Sequence, residues 1–230
     1  MMRPRSLFVV AAVLAAGVVA QAGPIETLWD NYWSPAPGYD RLGYFSSEIS
    51  ASVPDSYAGD DAIFAEPVRI QEIKWLGMRN TTYTYGSAEV VILDTSFNTL
   101  HSLTGLSFSS TTITDGAFPW GYTPYEGTVA IPNIDLAAGR YYFAVRLVSG
   151  TPQAPTGGRN FVLTTGNGTI HGGTMGVIRV PAFGAPNWTL IGNYFGSRPT
   201  EYAYRIRGEI IPEPAGLILL ALGGILARRR

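Results

Sequence analysis

The chain has 230 residues, 46% of them hydrophobic and 14% charged, enough for one large sandwich-type domain or at most two small ones. It contains no cysteine, which excludes disulfides, thiolate nucleophiles, zinc knuckles and iron–sulfur ligation together. Five of its 16 basic residues (Arg3, Arg5, Arg228, Arg229, Arg230) lie at the extreme ends, whereas 16 of its 17 acidic residues lie between positions 23 and 211, so the formal charge of −1 hides an acidic interior whose lone lysine is Lys74 and in which no basic patch exists to neutralise the phosphates of a nucleic acid.

Residues 1–22 have the three parts of a secretory signal. Arg3 and Arg5 come first, then an apolar run over residues 7–19, then Ala20 and Ala22 flanking Gln21 ahead of Gly23. Cleavage is expected after Ala22 by signal peptidase, once the secretion machinery has engaged the segment. The apolar run is too short for a membrane span, which needs about 20 residues.

The 27 glycines and 16 prolines are scattered between short apolar runs, a distribution that predicts many turns joining short strands. Asp55, Asp60, Asp61 and Glu66 place four carboxylates close together. Hard oxygen ligands in a loop would suit calcium. Their spacing is not that of an EF-hand, and the competing expectation is a set of solvated turn acids.

From Ile63 onward apolar residues alternate over short stretches. Val68 and Ile70 fall in one phase and Ile73 and Trp75 in the other, which calls for a bulge or break near Gln71. Residues 90–93 are apolar without alternation and read as a strand covered on both faces. Residues 106–108, 128–131, 161–165, 177–180 and 188–191 are further strand candidates. Residues 135–141 read as a turn feeding a strand, with Gly139 free to take positive φ. In that strand Tyr141, Phe143, Val145 and Leu147 share one face, with Arg140 and Arg146 on the other. Tyr202, Tyr204 and Ile206 alternate with Ala203, Arg205 and Arg207 in the same way. No helical periodicity persists for three turns between residues 23 and 211. The expected fold is all-β: a single two-sheet antiparallel β-sandwich, jelly-roll-like, over residues 23–209, flanked by the signal helix of residues 1–22 and a short apolar helix in residues 210–230.

The chemistry of sites is thin. His101 and His171 are far apart in sequence and neither has a second histidine at metal-ligand spacing. No Gly-x-Ser-x-Gly elbow is present. The glycine-rich stretch at residues 166–173 lacks the βαβ surroundings of a dinucleotide loop and reads as a sandwich loop. A glycosidase needs two converging carboxylates. Glu89 and Asp94 have an odd spacing that sends them to opposite strand faces, while Glu72 with Glu89 stays open as a cross-strand pair. Phe118, Trp120, Tyr122 and Tyr125 alternate with Pro119, Gly121 and Pro124 in an expected long loop. Their rings would either stack on sugars or fold back to cap one end of the sandwich.

At the far end, Pro212, Glu213 and Pro214 are followed by the apolar residues 215–227 and then by Arg228, Arg229 and Arg230. The prolines end the preceding strand. As a helix the apolar stretch would cover roughly 20 Å of a hydrocarbon core about 30 Å thick, and the arginines would stay cytoplasmic. This Pro-Glu-Pro, short apolar helix and terminal arginine cluster resembles the tripartite PEP-CTERM sorting signal. The resemblance covers only about the last 20 residues, but its three elements come in fixed order. It implies export by a Gram-negative, exopolysaccharide-producing bacterium and processing by a transpeptidase-like exosortase that recognises Pro212, Glu213 and Pro214, after transient membrane anchoring by residues 215–227. Two weaker likenesses to PEP-CTERM passenger domains are Asp60-Asp61 ahead of Ile63, Phe64, Ile73, Trp75 and Gly77, and the run Ala203 to Gly208 leading into the tail.

The expectation is therefore a non-enzymatic sandwich without a cofactor, exported to the cell envelope or surface or to an extracellular matrix, with exosortase and exopolysaccharide as partners on the strength of the resemblance. A carbohydrate-binding module using Trp120, Tyr122 and Tyr125, and a glycan hydrolase or lyase, are the alternatives.

Overall fold

A computed structural model describes residues 24–31, 44–46, 48–49, 55–80, 84–114, 122–149, 160–165, 175–195 and 201–212. They form a β-sandwich of two seven-stranded sheets. The first sheet is organised around β5 (Val68–Arg79). Along one edge of it lie, end to end, β14 (Tyr204–Ile210) and β11 (Asn160–Leu163). Beyond these come β1 (Glu26–Asp30) and β2 (Tyr44–Ser46). Along the other edge runs β9 (Thr123–Leu136), followed by β8 (Phe108–Thr112). The second sheet has the order β13 (Ala185–Leu190), β12 (Val177–Val180), β4 (Tyr57–Phe64), β10 (Gly139–Ser149), β6 (Tyr85–Leu93), β7 (Thr99–Leu106). The pairings are antiparallel except for β3 (Glu48–Ile49), which runs parallel to β10 beyond the end of β4.

The phase change near Gln71 is a bulge. The register of β5 slips between Ile70 and Glu72 against both β9 and β14. On the β9 side three residues, Ile131 to Asn133, span the gap opposite Gln71. Pro132 is tolerated there because the ladder is already interrupted. The bulge lets Val68 and Ile70 join Ile73 and Trp75 in the core despite their opposite phases. Trp75 lies flat against β9 only because position 127 is glycine, since a Cβ there would run into the indole.

The core fills the space between the sheets with Trp75, Tyr125, Phe143, Ile92, Leu147, Tyr202 and Tyr204 among its largest members. Burying each such side chain contributes about 1.5–3 kcal/mol. Residues 90–93 are buried on both faces, and β12 has the predicted bounds. Gly139 takes φ 151° at the start of β10. The β6–β7 turn is held by Asp94, whose carboxylate accepts the Ser96 and Asn98 N–H groups at 2.8 and 2.9 Å.

Four expectations need correction. Tyr142 and Ala144, on the face of β10 assigned to its arginines, are buried with Tyr57, Val91, Leu93 and Val177 in a second cluster. Alternation in β10 therefore marks two buried faces of different composition. Residues 106–108 are not one strand: Leu106 ends β7 in the second sheet, Phe108 opens β8 in the first, and the chain crosses at Ser107. Ile191 begins a five-residue helix, α1 (Ile191–Phe195), rather than ending β13. Asp60 and Asp61 lie inside β4 rather than in a loop.

Candidate functional site

Asp60 follows the parity of Ala58, Ala62 and Phe64, which carries it into the space between the sheets, where it is 1% exposed. Its Oδ2 accepts the Tyr202 backbone N–H at 2.6 Å and the Asn31 amide at 3.1 Å, and its Oδ1 accepts the Asp61 N–H at 2.9 Å. Burial, with Glu201 and Asp61 nearby, pushes its carboxyl well above the usual range. Asp61 turns to the opposite face and meets Arg140 at 3.6 Å. Asp55 is bound by Arg146 and Arg179, and Glu66 is exposed. The four carboxylates do not converge, and among the described residues no group of His, Asp and Glu could hold a metal ion. The acidic run is not one loop: Asp60 and Asp61 are buried structural groups inside a strand, and Glu66 is an exposed turn acid.

The outer face of the second sheet carries a row of paired charges set on aromatic rings. The Arg146 guanidinium lies 3.9 Å from the Tyr57 ring centre and binds Asp55 and Glu89, the latter at 2.6 Å. Arg179 binds the same Asp55 and lies 5.5 Å from Tyr57 and 5.9 Å from Trp188. Tyr57 donates to Glu89 at 3.1 Å, and burial raises its phenol pKa. Every charge in the row is matched, which makes it a brace across β12, β4, β10 and β6. Glu72 lies in the other sheet, bound to Arg207, so the Glu72–Glu89 pair does not form. His101 sits in β7 opposite Ile92.

The predicted aromatic loop is partly strand. Tyr125 lies in β9 and is 1% exposed, stacked edge-on to Trp75. Its hydroxyl donates to Asn160 Oδ1 and accepts from the Trp75 indole at 3.2 Å. Tyr122 is half-buried, edge-on to Phe161. Both rings pack against the sandwich and neither forms an open stacking platform. Phe118 and Trp120 lie outside the described residues, as do His171, Glu213, Pro214, Arg228, Arg229, Arg230, Ala20, Ala22 and Gly23. Pro212, two residues past the end of β14, is exposed.

What Tyr125 supports is a guanidinium. Arg79, the last residue of β5, lies 4.8 Å from the Tyr125 ring centre and donates to Ser110 Oγ at 2.8 Å. It lines an open cleft of about 510 Å³ with Thr84, Tyr85, Gly86, Ser107, Phe108 and Ser110. Ser107 marks the crossing between sheets, so the cleft opens where β8 in the first sheet and the start of β6 in the second diverge. Among the described residues every other basic side chain (Arg69, Lys74, Arg140, Arg146, Arg179, Arg205, Arg207) has a carboxylate within 4.0 Å. Arg79 has none. Sequence reasoning missed this residue, although a signal was there: Arg79 shares the core-facing parity of Ile73 and Trp75 at a strand end.

No family model matches the chain, and no curated protein matches it. Among the described residues no helix is long and apolar enough to cross a membrane.

Proposed function

We propose that this is an exported, non-enzymatic β-sandwich held at the cell surface or in an extracellular matrix, delivered through its signal peptide and processed through its PEP-CTERM-like tail. The observation that carries the reading is the tail itself: Pro212-Glu213-Pro214, an apolar stretch and three arginines, beginning two residues after the last strand ends at Ile210. A sorting motif must be reachable, and Pro212 is exposed. The placement of the described carboxylates also favours a non-catalytic role, since Asp55, Asp61, Glu72 and Glu89 are each engaged by arginine and Asp60 is sealed in the core.

Fractionation and intact mass of a Glu213→Ala variant test the reading. The variant should accumulate, unprocessed, in the inner membrane, while the native chain is trimmed at its tail and begins at Gly23. Normal trimming and release of the variant would remove exosortase processing from the proposal, and a mature chain still beginning at Met1 would remove the cleaved signal.

A further inference from the structure

We propose that the cleft around Arg79 binds a carboxylated saccharide, with the guanidinium taking the carboxylate of a sugar acid and the surrounding hydroxyls and aromatic side chains taking the polyol. The proposal rests on described residues alone and does not depend on how the protein is exported.

The argument begins with charge. A guanidinium at a protein surface costs little when solvated, but one stacked on a buried ring and inserted at the mouth of a core is partly desolvated and ordinarily has a counter-ion. Elsewhere among the described residues this chain supplies one each time. At Arg79 it supplies a serine hydroxyl and an aromatic face instead. Among the described residues no carboxylate lines the cleft, in a domain whose interior is acidic overall.

The guanidinium is also held in place. Tyr125 lies beneath it, and Tyr125 is itself fixed by Asn160 and by the Trp75 indole. Ser110 takes one of the five N–H donors that a guanidinium carries, leaving donors for a planar, bidentate acceptor. A positioned donor loses less freedom when a ligand arrives, which favours binding.

The rest of the lining narrows the ligand class. Thr84, Ser107 and Ser110 offer hydroxyls that both donate and accept, and Phe108 with Tyr85 offers apolar surface. A bare inorganic anion would use the arginine and leave the apolar surface idle. A neutral sugar would use the hydroxyls and rings and leave the charge unmatched. A sugar ring bearing a carboxylate uses all three. The volume of about 510 Å³ falls within the range of about 300–1,000 Å³ usual for small-ligand sites.

The test uses the purified full-length chain, titrated by calorimetry and by tyrosine and tryptophan fluorescence with oligogalacturonate, with neutral cello-oligosaccharides and with inorganic phosphate. Oligogalacturonate should bind, and added salt should weaken it. Arg79→Gln should weaken it by at least about tenfold, the scale of one charge-assisted hydrogen bond. Arg79→Lys should also weaken it, because an ammonium cannot reproduce the bidentate fork. Thermal unfolding of each variant verifies that the chain is folded, and Ser110→Ala provides a second variant in the cleft that leaves the charge in place. The cello-oligosaccharides should bind at least about tenfold more weakly than the uronate. Three results would each overturn the proposal: no uronate binding by the native chain, equal uronate affinity in folded Arg79→Gln, or phosphate binding as tightly as the uronate.

Discussion

Asp60 and Arg79 are both charged-type residues on core-facing positions of their strands, and the fold treats them in opposite ways. Asp60 is enclosed. Three donors from the chain itself meet its carboxylate, two of them from outside its own strand, and burial holds the group toward its neutral form. Arg79 stands at an open mouth, on a ring and beside a hydroxyl, and among the described residues no acid meets it. The contrast separates a polar group that completes a structure from one that awaits something outside it. Where the chain satisfies a buried group, removing that group should damage the fold. Where it does not, removal should damage recognition instead.

The largest effect should come from the support shared by core and cleft. Tyr125→Ala removes a buried ring that packs on Trp75 and carries Arg79, and should lower unfolding free energy by about 3–5 kcal/mol in urea denaturation. A loss under about 1 kcal/mol would mean that the ring is not part of the core.

Asp60→Ala comes next. It leaves the Tyr202 N–H and the Asn31 amide buried without their acceptor, at a cost of about 2–4 kcal/mol. Asp60→Asn keeps an acceptor oxygen and should cost distinctly less. If the two variants unfold at the same denaturant concentration, the enclosed view of Asp60 is wrong.

The same pair predicts a dependence on pH. An aspartate in the unfolded chain titrates near pH 3.9, whereas the folded Asp60 keeps its proton to higher pH. The folded state therefore binds the extra proton in that window. Its contribution to stability is complete below about pH 4 and is lost as pH rises through the folded value, at up to about 1.4 kcal/mol per pH unit. Denaturation of the native chain and of Asp60→Asn between pH 4 and 7 should show the native chain weakening more steeply. Parallel curves would place the Asp60 carboxylate in its charged form throughout.

The smallest effect on stability belongs to Arg79. Its alanine variant gives up a cation–π contact and one hydrogen bond to the half-buried Ser110, a change of about 1 kcal/mol. A loss as large as that of Asp60→Ala would erase the distinction between the two sites.

Much of the fold was legible because its signals are local. The conflicting phases of Ile70 and Ile73 announced the bulge at Gln71, and the continuous run at residues 90–93 announced a strand buried on both faces. Legibility failed where tertiary packing overrode composition. Adjacent acids are rare inside strands, so Asp60 and Asp61 read as a loop, yet one is hydrogen-bonded across the sandwich and the other forms an ion pair with Arg140 at 3.6 Å. Tyr125 read as part of a loop because proline and glycine surround it, yet Gly127 is there to admit the Trp75 ring. Leu106 and Phe108 share a parity, but nothing local to them reveals that the chain changes sheets at Ser107. The cleft was invisible for the same reason: its lining comes from the end of β5, the start of β6, the crossing at Ser107 and β8, brought together by topology alone.

The position of β14 has a mechanical meaning. It runs between β1 and β5, paired with β5 at each of its seven residues, and the chain leaves it at Ile210, where the Ile211 N–H still reaches the Pro67 carbonyl at 2.8 Å. A load applied through the chain beyond Pro212 therefore pulls along this strand. A pull directed along the strand axis loads its hydrogen bonds to both neighbours together in shear rather than peeling them one by one, so in that direction the first strand to feel a load at this end is gripped on both sides.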